Sequence, residues 1–464
     1  MFIKKRRIHF VGIGGIGMCG LAEVLLNLGH QISGSDLKAS DITRRLAELG
    51  AFVTHSHSSL NVRGTEVVVV SSAVPDDNPE VAAARRDFIP VIPRAEMLAE
   101  LMRLKYAVAV AGSHGKTTTT SLVGAVLTRG GLDPTLVIGG RLNHLGTGAR
   151  LGQSELLVAE ADESDGSFLL LTPTIAVVTN IDLEHMNYYR DLEHLKESFL
   201  TFINKVPFYG FSVLCLDDPN VQSLIPGVKK RCLTYGLSGQ AEISARNVKC
   251  GAWGYSFDLF RFEENMGRVD LPIPGRHNVM NSLAAAAVGL EMGLEAESVI
   301  AGLAEMKGVG RRFERKGEAS GVTFLDDYGH HPTEIRATLS ALAECFPKRR
   351  RVVVFQPHRH SRTQSLFREF ISSFNQTDRL IITDIYGAGE APIDGVDARS
   401  LAEAVRRHGH RDVIHQADLS GLEEILASSL APGDVLMTMG AGNVHLVGEE
   451  TLRLMRRREE REGQ

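Results

Sequence analysis

The stretch VAVAGSHGKTTTTSL, residues 108–122, runs an apolar strand-like segment into a glycine–lysine–threonine turn and then a helix-like segment. This order constrains the chain more than any other feature. Such a turn needs a buried strand that ends where a helix begins, so that unobstructed backbone N–H groups face a phosphate. Lys116 would neutralise the phosphate charge, and the Thr117 hydroxyl could ligate a divalent cation. The full loop pattern asks for glycine where Val110 stands, and Gly112 offers one two residues on, so the loop is a variant. A threonine-rich helix start without a ligand is the alternative these residues leave open.

A second glycine turn lies earlier, in IHFVGIGGIGMCGLAEVLL, residues 8–26. Gly12, Gly14, Gly15 and Gly17 follow a strand and open a helix, and Asp36 in ISGSDL ends the next strand. A dinucleotide fold places its ribose-binding acid there, so an NAD-dependent dehydrogenase is a live alternative. The lysine loop, which a dehydrogenase does not need, weighs against it. Two phosphate cradles suggest two nucleotides, with phosphate moving from one toward a cargo carried by the other.

At 464 residues the chain exceeds one ordinary core, and about three domains are expected at roughly 150 residues each. Short apolar runs (TEVVVVSSAV, YAVAVAG, SELLVAEA, TIAVVTNI, FSVLCLDD, RVVVFQP, RLIITDIY) alternate with amphipathic ones, the pattern of parallel sheets with helical crossovers. The expected class is therefore α/β. It comprises a Rossmann-like domain over residues 1–106, a central P-loop-type domain over 107–312 and a second Rossmann-like domain over 313–464. A net charge of -5 argues against nucleic acid as the main partner. No apolar run reaches the roughly 20 residues needed to span a bilayer. The start, MFIKKRRIHFVGIGGIGMCG, imitates a signal peptide but reads better as a strand feeding a turn. Five scattered cysteines without a CxxC pair fit neither a disulfide framework nor a zinc knuckle, and a reducing, cytoplasmic setting is expected.

Chemistry-bearing strings follow. VAEADESDGSF crowds Glu160, Asp162, Glu163 and Asp165 at a strand end, where a cation such as Mg²⁺ would offset the charge. A solvated acidic loop is the competing view. TNIDLEHMNYY adds Asp182, Glu184 and His185 at another strand end. GRHNVMNSLAAAA opens a helix with His277, Asn278 and Asn281, which suit an adenine edge or an N-cap equally. GVGRRFE supplies Arg311 and Arg312, suited to charge on a transferring phosphoryl group or simply to the surface. DDYGHHPTE, YGAGEAP and MGAGNV mix glycine with polar groups beside strands, and QPHRHSRT is polar and cationic beside one, as crevice loops are. The pairs His55/His57 and His358/His360 lack a third ligand nearby and are not read as metal sites.

In order and over nearly the whole chain, GSHGKTTTT, EADESD, TNIDLEHM, GRHNVMNSLAA, GRRFE and DDYGHHPTEI resemble the Mur ligases, the ATP-dependent amide-forming ligases of bacterial cell-wall precursor synthesis. One such string is weak; six in register are specific. The resemblance implies ATP and Mg²⁺ as cofactors and, from GIGGIGMCGLAE and DYGHHPTE, UDP-N-acetylmuramate and L-alanine as substrates. It assigns Gly12, Gly14, Gly15 and Gly17 to the UDP diphosphate, with Asp36, Ser71 and Ser72 on the uridine or sugar side. Gly112, Ser113, His114, Gly115, Lys116, Thr117 and Thr118 would hold the ATP phosphates, and His277, Asn278 and Asn281 the adenine region. Thr117, Glu160 and His185 would lie at Mg²⁺, Arg312 and Asp327 would clamp ATP, and His358, Arg359 and Arg362 would approach the alanine. His185 is also the candidate general base. Ser113 and His360 depart from the family's usual threonine and tyrosine, and the second departure weakens the alanine-side assignment. A monomer and a homodimer are both compatible.

Overall fold

The structure is a computed structural model, which describes residues 4–71, 73–139, 149–186, 188–251 and 253–462. Three sheets organise it. The first has five strands in the order Phe52–Thr54, Gln31–Ser35, Arg7–Val11, Val67–Val70, Val91–Pro93. All its pairs are parallel, with Phe10 level with Gly34 on one side and Val69 on the other. VVVV at 67–70 is apolar on successive residues because helices cover both faces, and in IHFV at 8–11 the one polar side chain, His9, is buried against Ser33. The helices Ile16–Asn27, Asp41–Glu48, Pro79–Arg86 and Arg94–Met102 lie between or after these strands. Asp41–Glu48 begins in a capping box between Ser40 and Thr43, and Asn78 caps Pro79–Arg86.

The second sheet has ten strands. At its centre Tyr106–Ala111 pairs in parallel with Ile175–Val178 on one side and Leu156–Glu160 on the other. Ala107 to Ala111 are fully buried, which explains a run with no polar side chain. Thr135–Val137 and Ala149–Arg150 lie beyond Leu156–Glu160. On the other flank come Phe211–Cys215, Cys232–Gly236, Ile243–Cys250, Tyr255–Arg261 and Glu264–Leu271.

The third sheet has six strands, in the order Glu314–Ala319, Val322–Asp327, Val435–Met439, Arg351–Phe355, Arg379–Thr383, Val413–Gln416. Only the first pairing is antiparallel. The alanine-rich helix Arg276–Glu291 and the terminal helix His445–Glu462 match the expected helices, and the latter is exposed from Arg456 to Arg461.

The chain divides into two compact units. One comprises Met1–Asn247, Phe257–Val269 and Met280–Lys307; the other comprises Val248–Ser256, Asp270–Val279 and Gly308–Gln464. In the first unit one continuous apolar core underlies both the first sheet and the body of the second, running from Phe10 and Leu21 to Phe168 and Phe199. In the second unit, the two faces of the six-stranded sheet carry separate cores, one built on Leu339, Phe355 and Phe374 and one on Phe324, Leu436 and Val447. No helix among the described residues is long and apolar enough to cross a membrane.

Candidate active site

In the first unit the lysine loop joins strand Tyr106–Ala111 to helix Lys116–Arg129. Gly115 is the helix N-cap at φ +81° and provides no side-chain cap, so the first-turn N–H groups are left for an anion. Gly112 sits at φ +134°, and a Cβ there would overlap Thr179 Oγ1, so only glycine fits. TNID is stitched to this loop. Ser113 N donates to Asn180 O (3.0 Å), His114 N to Asn180 Oδ1 (2.9 Å), Thr179 Oγ1 to His114 O (2.6 Å) and Asp182 N to Ser113 Oγ (2.8 Å). His114 lies between two acids, with Nε2 3.0 Å from Asp182 Oδ2 and Nδ1 4.0 Å from Glu184 Oε2. Thr117 and Thr118 are buried in the first helical turn.

Lys116 Nζ donates to Gly112 O (2.6 Å), Ser113 O (3.2 Å) and Glu163 Oε1 (2.9 Å). Burial alone would pull its pKa down. The charges of Glu163, Asp162 and Glu184 outweigh that and hold it above the ordinary lysine value. Glu163 is fully buried, and its Oε2 has no hydrogen-bond partner. Ligand atoms of Glu163, Glu184 and His185 lie within 4.8 Å of one another. His185 Nε2 is 3.6 Å from Glu163 Oε1 and 3.8 Å from Glu184 Oε2, on a backbone with φ +59°. A non-glycine residue in that region is strained, as residues at functional sites often are. Two carboxylates, one with an unpartnered buried oxygen, and an imidazole form a donor set that fits Mg²⁺.

His185 thus comes together with Glu163 and Glu184, two acids of the quoted strings that the resemblance did not single out as Mg²⁺ positions. Glu160 stands level with Val110 at the base of the loop, and its Oε1 accepts from Gly139 N at 2.8 Å. Asn281 lies beside the loop: a Cβ on Gly115 would be 2.7 Å from its Oδ1. His277 and Asn278 group with the second unit, where Asn278 Nδ2 donates to Pro274 O at 2.6 Å.

The first glycine turn is also built as a cradle. Gly12, at φ +80°, and Ile13 donate to Ser35 O, and Gly15 caps helix Ile16–Asn27 without a side chain. Asp36 serves the turn itself, accepting from Gly14 N at 2.9 Å and from Lys38 N at 3.1 Å. Ser71 Oγ accepts from Ala73 N, and Ser72 lies outside the described residues. Sequence reasoning missed Arg94. A Cβ on Gly17 would be 3.2 Å from its side chain, and its Nη2 is 3.6 Å from Asp162 Oδ2. It links the first turn to the acidic strand end, and its only local signal is a cation at the start of a helix.

In the second unit DDYGHHPTE, QPHRHSRT, YGAGEAP and MGAGNV stand at the carboxyl ends of neighbouring parallel strands, where α/β sheets bind ligands. The His358 ring stacks on Tyr386 (5.6 Å between centroids) and faces His330 (5.6 Å). Burial, His330 and the Arg362 and Arg359 cations push His358 down to about 3, so it is neutral at physiological pH. Arg362 Nη1 donates to His358 O (3.3 Å), and Arg359, at φ +73°, lies 3.7 Å from Glu390 Oε1. Arg312 lies over the Tyr328 ring and 3.7 Å from Glu334 Oε1. Arg311 is held by Asp326 and by the carbonyls of Gly440 and Gly442. Asp327 accepts from Phe313 N (2.8 Å), Gly329 N (2.8 Å) and Thr338 Oγ1 (3.2 Å), and burial pushes it up to about 6 despite Arg312.

Comparison with known proteins gives the family. The model of the Mur ligase family, catalytic domain, matches residues 7–106; the Mur ligase middle domain matches 110–289; the Mur ligase, glutamate ligase domain, matches 311–442. A UDP-N-acetylmuramate–L-alanine ligase of Geobacter sp. (strain M21) is 59% identical over 97% of this chain and 98% of its own length. The ligase of that name from Geobacter sulfurreducens is 58% identical over the same shares. The crystal structure of the UDP-N-acetylmuramate–alanine ligase of Thermotoga maritima superposes with a TM-score of 0.83 at 26% identity, covering 98% of this chain and 100% of that one. The fold also matches a MurF ligase of Thermotoga maritima crystallised with ADP, at a TM-score of 0.64 and 18% identity over 93% and 96% of the two chains. The NAD-dependent dehydrogenase alternative is set aside, because near-full-length relatives are named as ligases and the second phosphate loop is fully formed. With relatives this similar along their whole length, the chain belongs to the Mur ligase family.

Proposed function

We propose that the chain joins L-alanine to the lactyl carboxylate of UDP-N-acetylmuramate with cleavage of ATP to ADP and phosphate, a step of peptidoglycan precursor synthesis. Residues 1–106 would hold the UDP-sugar, 107–312 ATP and 313–464 the amino acid. The observation that carries this reading is the pairing of two phosphate cradles in one compact unit, with the Lys116–Glu163–His185 cluster beside the second.

A carboxylate resists amine attack because it is already an anion with a poor leaving group. Moving the γ-phosphoryl group onto it makes an acyl phosphate, which the alanine amine attacks through a tetrahedral intermediate that expels phosphate. Two anions must meet in the first step, so cationic groups have to spread the charge. Lys116 would leave Glu163 for the β- and γ-phosphates, with the uncapped start of helix Lys116–Arg129 facing the same oxygens. Arg312 would add charge as ATP is clamped. Bound Mg²⁺ would neutralise phosphate oxygens, held by His185 with Glu163, Glu184, Glu160 and the Thr117 hydroxyl as the available donors. His185 is also the proposed base for the alanine ammonium, a role open to it only in a step where its ring nitrogen is free of the cation. No covalent enzyme intermediate is needed. The neutral ring of His358, with Arg359 and Arg362, would line the alanine side, and closure would keep water from the acyl phosphate. Work in the cytoplasm is part of this proposal, supported by the use of ATP and by five scattered cysteines without a CxxC pair.

The test is phosphate release from ATP against a panel of UDP-sugars and amino acids. Release should require UDP-N-acetylmuramate and L-alanine together. Release that ignores both would sink the reading.

A further inference from the structure

Cys250 and Cys345 are 95 positions apart in sequence, yet their sulfurs lie 3.8 Å from each other. Cys19 and Cys215, by contrast, are buried, and Cys232 is half-buried. The approach is built by the flanking residues. Trp253 meets Phe346 edge-to-face at 5.3 Å, Arg315 lies over the Trp253 ring at 4.7 Å, and Tyr255 Oη donates to Glu344 Oε2 at 2.5 Å. Glu344, Cys345 and Phe346, at the end of helix Pro332–Cys345, are thus each matched to a residue of the segment 250–255. Closing the sulfurs to a bond of about 2 Å asks for side-chain rotation rather than a new fold.

We infer that Cys250 and Cys345 form a reversible disulfide under hydroperoxide, tying helix Pro332–Cys345 to strand Ile243–Cys250 and slowing turnover. Cys250 is exposed and meets the oxidant first. Its thiolate sulfur attacks a peroxide oxygen, the O–O bond breaks, hydroxide leaves, and sulfur is oxidised by two electrons to the sulfenic acid. The Cys345 sulfur then attacks the Cys250 sulfur. The S–S bond forms, the S–O bond breaks, and the departing hydroxide takes the Cys345 proton as water. Overall two thiols and one hydrogen peroxide give one disulfide and two waters. Burial pushes the Cys345 thiol up, so it is protected until a sulfenic acid appears beside it. Such a bond suits a reducing compartment, where disulfides are transient and regulatory. The effect on turnover rests on the ligase reading. Both cysteines lie in the second compact unit, and the helix that the bond restrains is capped by His331 and carries Glu334, the partner of Arg312.

The experiment oxidises the reduced full-length protein with hydrogen peroxide and maps peptides by mass without reductant. The expected product is a Cys250–Cys345 linked peptide pair, lighter by two hydrogens. Phosphate release should fall with the linked fraction and return with dithiothreitol. Cys250→Ser and Cys345→Ser should keep the basal rate and lose the peroxide response. Oxidation of Cys250 to sulfinate without a link, or a link that leaves turnover unchanged, overturns the inference. Absent alanine-dependent release in the reduced wild type would instead strike the ligase reading, and the mass map would still report the bond.

Discussion

Lys116→Ala should damage folding as well as catalysis, and the size of the first effect follows from the lysine's surroundings. The ammonium is mostly buried and pairs with a carboxylate that is completely buried. A solvated pair would be worth at most about 1 kcal/mol. Breaking a buried one by removing a single partner costs about 3–5 kcal/mol, because the remaining charge is stranded. Glu163 Oε2 already lacks a partner, and Asp162 and Glu184 add negative charge to the lysine's field, so the upper half of that range is expected. Urea unfolding at neutral pH measures the loss. The double variant Lys116→Ala/Glu163→Gln should recover about 2 kcal/mol, since a neutral amide costs much less to bury than an unpaired carboxylate. Calorimetry should show UDP-N-acetylmuramate still binding to the single variant, while phosphate release is lost. A single variant as stable as wild type, or a double variant less stable than the single, would refute the buried-pair argument. Loss of UDP-sugar binding would contradict two separate phosphate cradles.

Three further outcomes can be checked. Asp327 keeps its proton to about pH 6 in the folded chain but only to about 3.8 when unfolded. Its contribution therefore falls as pH rises through that window, by about 3 kcal/mol at most; Asp327→Asn should remove this slope from urea unfolding measured between pH 4 and 7, and an unchanged slope rejects it. His358, pushed down to about 3, should show a neutral imidazole by NMR at pH 5. The unfolded chain protonates this ring near 6.5, so its stabilising effect is complete above that pH and lost as pH falls toward 3, whereas titration near 6.5 in the folded chain would contradict the packing on Tyr386 and His330. Gly112→Ala places a Cβ on Thr179 Oγ1 and 3.1 Å from the backbone of Asn180 at φ +134°, so it should cost about 2–4 kcal/mol in thermal unfolding and abolish phosphate release; a tolerated alanine would mean the loop is looser than described.

What could be read in the sequence was what local rules decide. YAVAVA reads as a strand because a short apolar run that ends at a turn suits burial on both faces, and GSHGK reads as a phosphate turn because its glycines satisfy a backbone demand on the spot. The six-stranded sheet announced itself in the same way, through RVVVF and RLIIT. The choice among the acids of EADESD is of another kind. Glu160 ends the strand and Glu163 lies three residues on, and composition treats them alike. The turn closed by Gly166 N on Glu163 O, with Gly166 at φ +70°, carries Glu163 inward to Lys116, whereas Glu160 stays with Gly139. Arg94 reaches Asp162 from a helix that follows a different sheet, and Cys250 reaches Cys345 from a strand to a distant helix. Each of these pairings depends on where two packed elements bring their ends, a quantity no window of sequence contains. Lys116 shows the consequence most sharply. Its three hydrogen-bond acceptors come from Gly112, Ser113 and Glu163, and Glu184, from a third string, adds to its field. The loop's presence was therefore a local fact. The charge its lysine experiences is a tertiary one, and it sets how readily that lysine can be given up to a phosphate.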